Sequence, residues 1–194
     1  MEKSILTIAL LSFLIIGMSF GRRTIIYAIL HTKQMATDTA LEKIKLEKTT
    51  FNDMNILFIS DTAATTPDIK SIFGKGYGEI MELVQQNKLQ PIKFMAWYSS
   101  AQPPWPIDIA VEVNKMPEKM NGHIHSKIQA GGQVLIAHIW GPYDQVGQGY
   151  RAIEKWLKEN DRKAKSPPFE VYVNDPATVK SPAEIQTDVY QPLE

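Results

Sequence analysis

The stretch Ile107-Asp-Ile-Ala-Val-Glu-Val113 alternates without a break. Ile107, Ile109, Val111 and Val113 share one side of an extended chain; Asp108, Ala110 and Glu112 share the other. That is a strand with one face toward a core and one polar face. Near the C-terminus, Ile185-Gln-Thr-Asp-Val189 follows the same rhythm. Aligning the two stretches sets Glu112 opposite Asp188.

Working outward, the neighbours of each strand also match. Upstream of the first lie an apolar run at 54–59, a loop composition at 61–68 (DTAATTPD) and a helical stripe of Tyr77, Ile80, Met81 and Val84. Ile92–Tyr98 then has strand character, and Gln102-Pro-Pro-Trp-Pro106 is a rigid connection unsuited to a central strand. Upstream of the second lie strands at 123–129 and 134–139 and a helix carrying Val146, Tyr150, Ile153, Trp156 and Leu157, with Asp144 as its N-cap. Phe169–Val173 is a further strand. The elements thus come twice in one order, with Gly76-Tyr77 matched to Gly141-Pro-Tyr143 and Trp97 and Tyr98 matched to Tyr172. The expected fold is α+β: two tandem strand-helix-strand-strand modules (43–115 and 122–194) with pseudo-twofold symmetry, their antiparallel sheet carrying the helices on one face. With the helices on the apolar side, the opposite faces of the two halves would meet in a cleft lined by carboxylates and aromatics.

Residues 4–20 (SILTIALLSFLIIGMSF) carry no charge and are followed by Arg22 and Arg23. The run is at the lower limit for spanning a hydrocarbon core of about 30 Å. Small residues at Ser19-Phe20-Gly21 keep a cleaved signal peptide open. The length of the run and the renewed apolar character of 24–30 favour an uncleaved transmembrane helix. The organisation is therefore an anchor or signal at 1–23, a polar tether at 24–42 and a domain at 43–194, in a single-pass membrane protein. Two arginines against Lys3 place the domain on the cytoplasmic side by a slender margin.

Lys+Arg 21 balance Asp+Glu 21, and there is no cysteine. A zero net charge argues against a nucleic-acid partner, which needs a basic surplus on one face. Disulfides and thiolate chemistry are excluded. No phosphate-cradling glycine loop and no Gly-x-Ser-x-Gly turn stand in the chain, so no cofactor is expected. His123 and His125 share a strand face but lack a third ligand nearby, so no metal is expected either.

The second half carries Ala137-His-Ile-Trp-Gly-Pro-Tyr143, the helix end Ala152-Ile-Glu-Lys-Trp156-Leu, Pro168-Phe-Glu-Val-Tyr172-Val-Asn-Asp175-Pro176 and Thr187-Asp-Val-Tyr-Gln-Pro192-Leu. Gly74-Lys-Gly-Tyr77 and Val111-Glu-Val113 match more loosely. In their order, over residues 43 to 194, these resemble the GyrI-like effector-binding, SOUL-related family, the drug-sensing domain of some bacterial transcription activators. The resemblance implies a central cleft binding cationic, often aromatic, ligands against a buried glutamate and aromatic walls. Some members bind haem-like ligands, some inhibit DNA gyrase, and a subset hydrolyses strained cyclopropane compounds with a glutamate and a tyrosine. The position similar to the usual C-terminal glutamate is Asp188, one methylene shorter, which weakens the hydrolytic reading more than the binding one. No helix-turn-helix pattern precedes the domain.

The expected ligand residues are therefore Asp188 and Glu112 for charge and Tyr172, Trp97, Tyr98 and Trp140 for walls. No residue is assigned a catalytic role. Each has an ordinary structural alternative: a solvated strand carboxylate, or an aromatic packed in the core. The favoured function is membrane-tethered binding of a small cationic or amphipathic organic ligand. The alternatives are a hydrolase acting on reactive electrophiles and a protein-interaction module with a vestigial cleft.

Overall fold

The computed structural model describes residues 44–120 and 122–194. The hydrophobic run 4–20 and the tether 24–42 lie outside the described residues. Among those described, no helix is long and apolar enough to cross a membrane.

The chain forms eight strands and two α-helices: β1 (Lys45–Phe51), β2 (Met54–Ala63), α1 (Thr66–Gln86), β3 (Pro91–Tyr98), β4 (Trp105–Val113), β5 (His125–Gln129), β6 (Gly132–Trp140), α2 (Val146–Glu159), β7 (Phe169–Tyr172) and β8 (Gln186–Pro192). All eight strands join one sheet in the order β1-β6-β8-β7-β3-β4-β2-β5, and every pairing is antiparallel. The order reads the same from either end once β1–β4 are exchanged with β5–β8. That is a pseudo-twofold axis through the central β3–β7 pair, at Met95↔Val171. β1 leaves β2, its neighbour in sequence, and pairs with β6; β5 leaves β6 and pairs with β2. Each half thus lends its outermost strand to the other.

The registers fix which residues are equivalent. Phe94 pairs with Val111 and with Tyr172, whereas Glu170 pairs with Val189 and with Ala96. Phe94 therefore corresponds to Glu170, Ala96 to Tyr172, Ile109 to Thr187 and Val111 to Val189. Glu112 corresponds to Tyr190, and Asp188 to Ala110. The repeat is real, but the alignment of Glu112 with Asp188 is two residues out, because the β3–β4 and β7–β8 connections differ in length.

Both helices lie on one face. Leu57, Ile59, Val111 and Val113 pack with Ile80, Leu83 and Val84 of α1; Leu135, Ala137, Ile139 and Val189 pack with Val146 and Ile153 of α2. Gly76 and Gly149 let the helices approach: a Cβ would stand 2.9 Å from Ile109 Cδ1 at the first and 2.5 Å from Ile139 Cδ1 at the second. Each glycine is followed by a tyrosine, so Gly76-Tyr77 corresponds to Gly149-Tyr150 and not to Gly141-Pro-Tyr143. α1 begins at Thr66, eleven residues ahead of the Tyr77 stripe expected to open it. The Asp68 carboxylate accepts the Thr65 backbone N–H at 2.7 Å and the Thr65 hydroxyl at 2.8 Å, an N-terminal signal hidden inside the loop-like composition. At the other helix, Asp144 caps nothing; it sits in a 3₁₀ turn, Tyr143–Gln145.

The face away from the helices has an apolar centre. Met54, Ile56, Met95, Trp97, Ala110, Phe169 and Val171 form a buried cluster there. Strands three places apart in a flat sheet lie about 14 Å apart. Phe51 of β1 nevertheless meets Phe169 of β7 at 6.3 Å between ring centroids, and Lys127 Nζ of β5 stands 4.0 Å from the Trp97 ring of β3. The sheet curls around this second face and makes a core of it. β4 also starts earlier than its prolines suggest: Pro106 lies opposite Thr62, at the strand's entry, where the lost N–H is tolerated.

Candidate functional site

Between α1 and α2, on the axis, the sheet presents Glu170 and Tyr172 of β7 beside Phe94, Ala96 and Tyr98 of β3. Period-2 alternation sends Glu170 and Tyr172 to the helix side, while Phe169 and Val171 enter the other core. Glu170 is only 8% exposed. Its Oε1 accepts the Tyr150 hydroxyl of α2 at 3.0 Å, and its Oε2 accepts the Tyr172 hydroxyl at 2.9 Å. Phe73 of α1 stands edge-on to Tyr172 at 5.8 Å, and Tyr143 does the same from the other side at 5.9 Å. Phe73 also stacks on Tyr98 at 6.5 Å and meets Tyr77 edge-on at 5.6 Å. Tyr143, 47% exposed, is the outermost of these rings.

Among the described residues, no cationic side chain forms an ion pair with Glu170. Burial pushes its carboxyl above the usual range, and the hydrogen bonds from Tyr172 and Tyr150 oppose the rise. The surrounding phenols shift the same way. Burial holds Tyr172, Tyr150, Tyr98 and Tyr77 well above the usual phenol range, and the charge of Glu170 adds to this. All four stay neutral, and two of them, Tyr150 and Tyr172, donate to the carboxylate. A buried carboxylate with aromatic walls and no internal counter-charge can attract a cation: the rings add cation–π attraction, worth ~0.5–2 kcal/mol each, and low dielectric strengthens the charge term.

The expected site residues divide between the two faces. Tyr172 and Tyr98 belong to this cluster between the helices. Asp188, Glu112, Trp97 and Trp140 lie on the opposite, curled face. There Asp188 Oδ1 is 3.0 Å from His138 Nδ1 and accepts the Gln186 amide at 3.0 Å; Glu112 pairs with Lys93 at 2.6 Å. Trp97 packs on Phe169 at 4.8 Å. Trp140 is 50% exposed beside His138. The structure thus separates Tyr172 from both expected carboxylates by the thickness of the sheet. A half-open cavity of about 440 Å³ on that face is lined by Trp97, Ser99, Asp108, Lys127 and Ser166 among others. Its aromatic wall is already covered by Lys127, which lies 3.7 Å from Asp108. His123 and His125 part company: His123 is 3.0 Å from Glu79, whereas His125 packs on Phe58.

Glu170 lies inside Phe169-Glu-Val-Tyr172 but is not among the residues expected at the site. The available signal was a carboxylate two residues from a tyrosine, on the strand face that a helix covers. Tyr150 and Tyr77 were read as members of apolar helix stripes, and in part they are.

Among solved structures, the fold is similar to that of EcmrR in its DNA complex (15% identity over 88% of this chain, TM-score 0.71). This chain covers 65% of that one. The EcmrR C-terminal domain alone is similar at 16% identity, over 78% of this chain and 98% of the domain, with TM-score 0.67. A hydrolase from Listeria innocua is similar at 11% identity, over 77% of this chain and 92% of that chain, with TM-score 0.55. No curated protein matches in sequence. These likenesses show the fold. The family of GyrI-like small molecule binding domains matches residues 45–194, and the chain belongs to it.

Proposed function

We propose that this domain binds a small organic cation in the groove between α1 and α2, with Glu170 as its counter-charge. Tyr150 and Tyr172 hold the carboxylate in place, and Phe73, Tyr98 and Tyr143 supply the walls. One observation carries the reading: Glu170 is buried, hydrogen-bonded only to neutral phenols, and unmatched by any cation among the described residues. Entry requires the outer rings to part, and Tyr143, 47% exposed on its short 3₁₀ turn, is the outermost of them. Calorimetric titration of the full chain with an aromatic quaternary ammonium ion tests this. Binding that Glu170→Gln weakens by tenfold or more supports the assignment. Equal affinity in both proteins refutes it.

A hydrolytic reading draws on the same pair. A carboxyl raised above its usual range beside a tyrosine hydroxyl at 2.9 Å is a fit arrangement for acid–base work on a strained electrophile. EcmrR and the Listeria hydrolase share the fold, so the fold does not choose between binding and turnover. Product formation lost in Tyr172→Phe would support hydrolysis; none across a panel of strained rings would remove it. The run at 4–20 is proposed to hold the domain at a membrane. Recovery of the intact chain in the membrane fraction after an alkaline carbonate wash checks this, and recovery in the supernatant refutes it.

A further inference from the structure

The cavity on the curled face is organised around one lysine from the outermost strand. Lys127 lies on β5 opposite Ile56 of β2. Because the sheet curls, its side chain reaches past β2 and β4 to β3. Its Nζ stands 4.0 Å from the centroid of the Trp97 ring and 4.8 Å from that of Phe58. Two aromatic faces thus hold the ammonium by cation–π attraction, and neither ring supplies a lone pair to its N–H donors. Among the described residues, one carboxylate comes within 4.0 Å of that nitrogen: Asp108 Oδ2 at 3.7 Å, beyond hydrogen-bonding range. The other oxygen of Asp108 is engaged by the Ser60 hydroxyl at 2.6 Å. The lysine side chain is 33% exposed. It forms part of the wall of the half-open cavity of about 440 Å³, together with Ser99, Gln129, Ser166 and Pro167. The registers show that this is no by-product of the repeat. The twofold axis relates Lys127 to Glu47 and Asp108 to Gln186, so the other half has a carboxylate where this half has the ammonium.

We infer that this cavity is a second binding site, across the sheet from Glu170, and that it takes a small organic acid with a single carboxylate. The carboxylate sits at Lys127 Nζ, with the hydroxyls of Ser99 and Ser166 and the Gln129 amide as further donors on the wall. The organic part lies against Pro167 and the rim of Trp97. The site is independent of the cation proposal and shares no residue with it. An ammonium already packed on two rings has lost its freedom before the ligand arrives, so binding costs little ordering. Charge-assisted hydrogen bonds to a carboxylate are stronger than those to a neutral amide, so an acid is preferred to its amide. One negative charge is what the site can match. A dianion such as phosphate would bring a second charge beside Asp108, and like charges at that range repel. The volume falls within the roughly 300–1,000 Å³ of small-molecule sites, room for an acid with one aromatic ring.

Benzoate, its uncharged isostere benzamide and inorganic phosphate test this by calorimetric titration into the full chain. Benzoate should bind about tenfold tighter than either of the others. Lys127→Met keeps an apolar stem on the two rings and removes the charge; it should weaken benzoate about tenfold or more. Lys127→Arg keeps the charge and should retain most of the affinity. Asp108→Asn leaves an oxygen for the Ser60 hydroxyl and removes the repelling charge, so it should tighten benzoate. Four results overturn the inference: benzamide binding as well as benzoate, phosphate binding better, benzoate affinity unchanged in Lys127→Met, or no benzoate binding up to about 10 mM. If Lys127→Met fails to fold, the other two variants decide. Loss of benzoate in Lys127→Arg, or weaker binding in Asp108→Asn, then refutes the site.

Discussion

Replacing Glu170 by glutamine should make the unliganded protein more stable at neutral pH while weakening the proposed binding of a cation. Glutamine keeps the shape and volume, so no cavity opens. The Tyr150 hydroxyl, at 3.0 Å, can still donate to the amide oxygen, and the Tyr172 hydroxyl, at 2.9 Å, can turn to accept from the amide nitrogen. Exchanging two charge-assisted hydrogen bonds for neutral ones costs about 1 kcal/mol each. Against that, keeping an ionised carboxylate out of water costs several kcal/mol even after relaxation. The difference is about 2 kcal/mol in favour of glutamine, or ~4–8 °C in Tm for a domain of this size. The sign with pH follows from the raised carboxyl. Between the usual glutamate value and the raised one, the unfolded chain releases its proton and the folded chain keeps it. Stability therefore falls as pH rises through that window, and Glu170→Gln removes this part of the slope. Thermal unfolding of both proteins from pH 4 to pH 8 measures it. A lower Tm for Glu170→Gln at pH 7, with the pH slope unchanged, would refute the claim that this carboxylate is held against its preference.

The same titration governs the ligand. Affinity for a monocation should rise tenfold per pH unit while Glu170 is protonated and level off once it ionises, a profile read by calorimetry at successive pH values. Tyr172→Phe and Tyr150→Phe each remove a donor that opposes the rise in the carboxyl's pKa, so the midpoint of that profile should move to higher pH, further for Tyr172, whose bond has the larger effect. Asp188→Asn should leave monocation affinity within about twofold, because it lies across the sheet. It should cost ~1–3 kcal/mol of stability through its bonds to His138 and Gln186, seen as a lowered denaturant midpoint.

The architecture was legible in the sequence because alternation in Ile107–Val113 and its counterpart near the C-terminus is a local property, and the sheet uses it without modification. The carboxylates were not legible for the same reason. Alternation tells which residues share a side, but not that both sides become interior. Glu112 and Asp188 have the pattern of cleft residues because they face away from the apolar row. Curling buried that side as a second core, where each found a basic partner. Glu170 went unread because it breaks the pattern: it occupies a row that a helix covers, where an apolar side chain is the default, and only the meeting of β7 with α2 supplies Tyr150 to hold it. The resemblance points to a buried glutamate; the expected counterpart, Asp188, lies on the curled face, whereas the carboxylate buried among the helix-side aromatics is Glu170. The start of α1 was hidden by composition: Thr65-Thr-Pro-Asp68 has the look of a loop and the chemistry of a helix entrance.

The exchange of edge strands has a consequence for synthesis. β1 finds its hydrogen-bonding partner in β6, not in the hairpin neighbour that follows it off the ribosome. At about 5–20 residues per second, Lys45–Phe51 waits on the order of ten seconds for Gly132–Trp140 to emerge. Until then the first half carries an unclaimed strand, and β2 also lacks its outer partner, β5. Neither half can close its own sheet during translation, and the cluster around Glu170, which draws on both helices, has to wait for β7 to emerge.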